Sequence, residues 1–190
     1  MVAAPLTEPG HGDPAAPERN TTMTDRSITA EIPTRPRMTQ DPTQLVPALA
    51  EVSAALFKAV GNGSVPRTTI SLVQLRAGQL AGSTYLTVLH SGFLRKADQS
   101  EERIASVASW QDSPYFTAPE RAALALAEAA LRPSPYGERV PDALYAEVAE
   151  HYDETALATL MIAIGQVNFF TPVALVAKPA PGRSFTDPWV

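Results

Sequence analysis

Four side chains able to move a proton or attack an electrophile fall within one short run: Ser83, Tyr85, Thr87 and His90. Imidazole, with an unperturbed pKa of ~6.5, is the side chain best poised for proton transfer near neutrality. His90 is therefore the candidate general acid/base. In a helix of ~3.6 residues per turn, Ser83, Thr87 and His90 lie on one strip. Thr87, one turn from His90, is placed to orient the ring through a hydrogen bond, and Tyr85 supplies a second hydroxyl nearby. A nucleophilic Ser83 needs a base in contact, and His90 is too far along the helix unless the helix bends or a water bridges. Just upstream, Arg76 and Gln79 offer donors for a substrate carboxylate or carbonyl. Each residue also has a plainer reading. His90 is equally well a core histidine bonded to a carbonyl or to Tyr85. Ser83 is explained by capping a helix, and Arg76 by pairing with a carboxylate such as Glu128. A metal centre at His90 is disfavoured, because the other histidines are His11 and His151 and the chain has no cysteine.

The elements that must hold these residues read as helices. Ile70, Leu72, Val73, Leu75 and Leu80 recur at helical spacing and stop at Gly82, a residue that takes the left-handed conformation at low cost. Ser83 then starts a second helix, with Leu86, Val88, Leu89 and Phe93 continuing an apolar stripe to about Ala97. Before this pair, Pro47 opens a helix that runs to Val60, with Leu49, Val52, Leu56 and Val60 on one side and Gly61-Asn62-Gly63 ending it. After it, Ser100 begins a short helix through Ile104, Val107 and Trp110. Thr117 and Glu120 have capping-box spacing and open an Ala-rich helix to Leu131. Pro141 to about Tyr152 forms another, and Asp153 caps a long last one. No stretch alternates long enough for a strand. Trp110, Phe116, Phe169 and Phe170 are read as core or subunit-interface residues.

Composition narrows the classes. With 190 residues, 45% of them hydrophobic, the chain can bury one ordinary core. A formal net charge of −5 lacks the basic face that a nucleic-acid partner requires. The absence of cysteine excludes disulfides and thiol redox chemistry by this chain. Residues 1–37 are proline-rich and poor in large apolar side chains, so they read as a disordered leader, or one draped over a partner with Ile28 and Ile32 as anchors. Met23 is a candidate natural start. No signal peptide is visible at the N-terminus, and the expected location is cytoplasmic. Residues 158–177 are apolar enough to resemble a membrane span. Thr159, Gln166, Asn168 and Thr171 within them, and Pro172, which breaks the hydrogen bonding, favour a buried helix and no membrane partner.

Residues 38–178 resemble the alkylhydroperoxidase D-like, carboxymuconolactone decarboxylase family. Leu75-Arg76-Ala77-Gly78-Gln79-Leu80-Ala81-Gly82 is similar to its Leu-Arg-x-Ser-Gln-x-Asn-Gly approach to the active helix. Tyr85 and His90 match the Tyr (or His) and the His of Gly-Cys-x-Tyr-Cys-x-x-x-His. Glu101-Glu102-Arg103-Ile104, Trp110, the run from Phe116 to Glu128, Val140-Pro141-Asp142 and Val167-Asn168-Phe169-Phe170 follow in order. The resemblance implies an all-α bundle of six to eight helices over residues 38–180, with a tail at 181–190. It also implies a homo-oligomer, trimer or hexamer, whose site lies near subunit contacts.

The departures from the pattern limit what carries over. Ser83 and Leu86 stand at the positions of the family's two cysteines, and Ser71 at that of its proton-relaying glutamate. A hydroxyl cannot form a sulfenic acid or a disulfide, so thiol peroxidase activity is not expected. The decarboxylase branch, which relies on acid–base chemistry at a histidine, is the nearer analogue. The expectation is a cofactor-free, metal-free enzyme of decarboxylase, isomerase, lyase or cyclase type acting on a small organic metabolite. His90, Tyr85, Thr87 and Ser83 form its catalytic set, and Gln79, Arg76, Ser71 and Leu86 its substrate contacts. An Ala-, Pro- and Arg-rich composition associates with specialised biosynthesis. The alternative is a non-catalytic oligomeric scaffold or ligand-binding protein of the same fold, and a thiol-free peroxidase ranks third. An open apolar cavity at His90 favours the enzyme, and a filled one the scaffold.

Overall fold

The computed structural model describes residues 36–38, 40–134 and 137–183. They lie in one unit, Pro33–Val190. The expected leader (apart from its last two residues) and most of the expected tail lie outside the described residues. The helices are α1 (Pro42–Leu45), α2 (Pro47–Val60), α3 (Arg67–Leu80), α4 (Thr84–Lys96), α5 (Glu101–Ala105), α6 (Ala118–Leu131), α7 (Asp142–Ala149) and α8 (Glu154–Ala177). A 3₁₀ segment, Ser106–Asp112, joins α5 to α6, and no strand occurs among the described residues.

The bundle forms around α3, which packs against α4, α6 and α8. Most of its residues are buried, polar ones such as Thr69, Gln74 and Arg76 included, and Leu72, Val73, Leu75 and Ala77 are fully enclosed. Ile70 and Val73 meet Ala123, Leu126 and Ala127 of α6 and Leu160, Ala163 and Ile164 of α8. Leu72 and Leu75 meet Leu94, Val107, Trp110 and Leu124. Ala77 joins Tyr85, Leu86, Val167 and Ala174. Each buried leucine contributes ~1.5–3 kcal/mol by leaving water, so the mid-section of α3 anchors the unit.

The caps explain the helix starts. The Asp153 carboxylate accepts from Ala156 N at 2.8 Å at the head of α8. The Thr117–Glu120 capping box is complete, with Thr117 N donating to Glu120 at 3.0 Å.

Several local expectations differ from the structure. α8 runs through Pro172 to Ala177 as one helix. Proline removes one intrahelical donor, but the carbonyl it orphans belongs to Asn168, an exposed residue that water can serve. The run after Ser100 is not one helix, because Ser109 has non-helical dihedrals and the chain tightens to 3₁₀. α7 ends at Ala149, short of Tyr152. The short α1, capped by Asp41, was not anticipated. In α2 only Val60 of the expected apolar side is buried, while Leu49 and Leu56 are half-buried and Val52 is 42% exposed. This helix touches only α1 and α8 extensively, so most of its surface has no cover within the unit.

α8 is long and apolar enough to cross a membrane, and 44% of its most apolar stretch is buried inside the protein. Its buried face carries polar groups that are matched internally. Thr159 accepts from Asn62 at 2.7 Å, and Gln166 accepts from Gln74 at 2.9 Å.

Candidate functional site

The turn between α3 and α4 sets the site. Gly82 takes φ 64°, Ser83 N donates to Gly78 O at 3.1 Å, and Gly82 N donates to Gln79 O at 3.0 Å. These two bonds make a Schellman motif that closes α3. Ser83, at the head of α4, accepts from Leu86 N at 3.3 Å. The helices then cross closely at Gly78, where a Cβ would lie 3.1 Å from Leu86 Cβ and 3.2 Å from the Thr87 backbone nitrogen.

His90 is buried on α4 and 6% exposed. Its Nδ1 is enclosed without a hydrogen-bond partner. The ring meets Phe93 edge-on, with centroids 5.8 Å apart. Burial disfavours the charged form and pulls the imidazole pKa from 6.5 to about 4, so the resting ring is neutral at pH 7. Neither Thr87 nor Tyr85 hydrogen-bonds this ring, so the orienting contact expected from Thr87 is not made. A buried polar atom without a partner is costly and rare in a native fold.

A cavity of about 490 Å³ lies between α2, α3, α4 and α8. Phe93 and Ile70 are in its apolar wall, and Ser71, Gln74 and Gln166 are in its polar lining. His90 does not line it, whereas Phe93, whose ring the imidazole meets edge-on, does.

The remaining expected residues fall in two places. Tyr85, Leu86 and Ser83 are enclosed in the core beside the α3–α4 turn. Arg76 and Gln79 belong to a separate polar network. Arg76 Nε donates to Glu128 Oε1 at 2.6 Å and Nη1 to Gln79 at 3.3 Å. The same carboxylate accepts from Trp110 Nε1 and Gln111 Nε2, both at 3.0 Å, and Arg132 pairs with it at 3.3 Å. Glu128 is thus saturated, and Arg76 serves it as a structural partner. Of the four expected substrate contacts, the structure brings only Ser71 to the cavity. Among the described residues no three of His, Asp and Glu cluster so as to hold a metal ion.

Sequence reasoning missed Gln74, Phe93 and the polar role of Gln166. Phe93 read only as part of the apolar stripe of its helix, while for the two glutamines the available signal was an amide set inside an otherwise apolar helical stripe. Their mutual contact spans 92 residues of sequence and leaves no local trace.

Residues 44–129 match the profile of the Carboxymuconolactone decarboxylase family. YdfG, an uncharacterized protein of Bacillus subtilis (strain 168), is 32% identical over 133 residues, which cover 70% of this chain and 88% of YdfG. YnjA, an uncharacterized protein of Escherichia coli (strain K12), is 36% identical over 98 residues, 52% of each chain. Among solved structures, a protein of unknown function from Agrobacterium tumefaciens, associated in its description with antioxidant defence and AhpD, superposes with TM-score 0.69. The match is at 22% identity and covers 78% of this chain and all of that one. The debrominase Bmp8, as a cysteine-to-alanine variant in complex with 2,3,4-tribromopyrrole, gives TM-score 0.64 at 19% identity over 75% of each chain. Both structures share the helical fold with this protein. With the helical order, the α3–α4 turn and these matches in agreement, the chain belongs to the carboxymuconolactone decarboxylase family, as a member without the paired cysteines.

Proposed function

We propose that this protein is a cofactor-independent acid/base enzyme acting on a small organic molecule bound in the cavity beside Ser71, with His90 as the proton carrier. The observation that carries the reading is the enclosed imidazole with an unpartnered Nδ1, in edge-on contact with Phe93, which lines a cavity of ligand size. The reading requires Phe93, which touches the imidazole and lines the cavity, to move so that His90 reaches the bound molecule. His90 then takes a proton from one substrate atom and returns it to another, so no oxidant or reductant is consumed. Reactions of this kind include isomerisation, ring opening, cyclisation and decarboxylation, and in the last the carbon left by CO₂ receives the proton. That a debrominase of the same fold holds a small aromatic ring supports a substrate of that size. The working form we propose is a homo-oligomer, trimer or hexamer.

A second reading, a ligand-binding scaffold without chemistry, is favoured by the absence of His90 from the lining of the cavity. The two readings separate on one variant. His90→Gln preserves reach and one hydrogen bond, and it should leave the fold intact. Turnover of a substrate found by screening small metabolites should fall by about two to four orders of magnitude, the share of a positioned proton-transfer group. Full turnover by His90→Gln excludes His90 as the proton carrier.

A further inference from the structure

We propose that the ligand of the cavity between α2, α3, α4 and α8 is an amphipathic carboxylate, its anionic group held by Arg67 and Lys96 and its polar far end by the Gln74–Gln166 amide pair. The inference rests on the cavity being the substrate site and names the class of molecule it takes.

Charge is the first argument. The protein carries a formal net charge of −5, yet among the described residues the only charged ones lining this cavity are Arg67 and Lys96. Neither forms an ion pair among the described residues, whereas Arg76, Arg95, Arg103 and Arg132 each have a glutamate. Lys96 has a structural explanation, since a cation in the last turn of α4 complements the helix dipole. Arg67 has the opposite placement. It is the first residue of α3, where the dipole disfavours a cation, the cap is Pro66 without a side-chain bond, and the first turn holds no acid. Its guanidinium lies beside Gly61, at the end of α2. Two unneutralised cations at one opening, one of them against the local helix field, form an anion-binding pair.

The interior supplies the rest of the ligand's outline. Phe57 and Ile70 face an apolar body. Gln74 and Gln166, 6% and 5% exposed, share one hydrogen bond, in which Gln74 Nε2 donates to Gln166 Oε1. The amide hydrogens of Gln166 and the carbonyl oxygen of Gln74 make no bond among the described residues. They offer a donor and an acceptor to a hydroxyl or carbonyl on the ligand.

The test compares 4-hydroxyphenylacetate with the isosteric neutral 4-hydroxyphenylacetamide, titrated into the full-length protein by calorimetry at low and high salt. The carboxylate should bind about tenfold more tightly than the amide, the scale of charge-assisted hydrogen bonds from two cations. Added salt should erode that preference, and Arg67→Gln with Lys96→Gln should abolish it without changing helicity. Equal binding of the two compounds, binding of neither at millimolar concentration, or an unchanged preference in the double variant overturns the inference. So does a double variant that changes the sedimentation of the protein but not the preference, because the cations then belong to a subunit contact. Charge-selective binding combined with full turnover by His90→Gln sinks the acid/base reading and leaves this inference standing. Turnover of neutral substrates alone, lost in His90→Gln, does the reverse.

Discussion

His90 couples the site to stability through its proton. The folded-state pKa lies near 4 and the unfolded value near 6.5, so between these values the unfolded chain binds a proton that the folded chain refuses. Its stabilising contribution is therefore fully present above about pH 6.5 and is lost as pH falls toward about 4. The full window is worth about 3 kcal/mol. Urea unfolding at pH 7.5 and pH 4.5 should show the parent protein losing about 2–3 kcal/mol more than His90→Gln, because all other groups cancel in the comparison. Equal losses contradict the depressed pKa. Chemistry at the same turn yields a second expectation. With Ser83 and Leu86 where thiols would act, and no cysteine anywhere, dithiothreitol-dependent consumption of tert-butyl hydroperoxide should not exceed that of the denatured protein. Catalysis above that background refutes it. At this scale the sequence was readable where partners are local or chemically obvious. Ser83 does cap α4, and Arg76 does pair with Glu128. It was unreadable where the decisive fact is a missing or distant partner. Nothing in the spacing of Thr87 and His90 reveals that no hydrogen bond joins them, and nothing near Gln74 announces Gln166.

Helix placement depends on one close crossing. Gly78 lets α3 approach α4, and a methyl there would press on Leu86 Cβ at 3.1 Å and on backbone atoms at 3.2 Å. Backbone locked in a helix cannot yield by rotating a side chain, so Gly78→Ala forces the helices apart. The expected loss is about 1–3 kcal/mol by overpacking, despite alanine's better helix propensity. Chemical denaturation measures it, and a neutral or stabilising result would show that the crossing is looser than described. Because the α3–α4 turn carries Ser83 and aims α4, the same variant should also weaken ligand binding in the cavity. Helix boundaries were legible wherever a cap states them, as at Thr117, Asp153 and Gly82. They were misread where tertiary packing overrides a local rule. Pro172 is carried within α8 because the carbonyl it orphans lies at an exposed residue, and the residues after Ser100 change helix type at Ser109.

The unit as a whole leaves two neighbouring helices with apolar surface uncovered. On α8, Met161, Phe169, Leu175 and Val176 are 62%, 48%, 43% and 64% exposed. With Gly165 and Pro172, also exposed, they form one stripe at helical spacing. α2, which packs beside α8, adds Val52 at 42% exposure, and Val46 before it is 57% exposed. The excess of apolar residues over what one small bundle can bury was visible in the sequence, but which faces stay outside was not, because α2 reads as an ordinary amphipathic helix. Contiguous apolar surface of this kind marks a protein interface, and a symmetric association places the same stripe against its copy. The full-length protein at micromolar concentration should therefore sediment as an oligomer. Met161→Glu or Phe169→Glu, each at an exposed stripe position outside the cavity, should dissociate it while far-UV circular dichroism keeps its helical signal. The depressed His90 pKa should persist in the dissociated form, since the residues enclosing the ring belong to one chain. Sedimentation of the parent protein as a monomer removes the argument from the stripe. An oligomer that survives both charged substitutions moves the contact to another face.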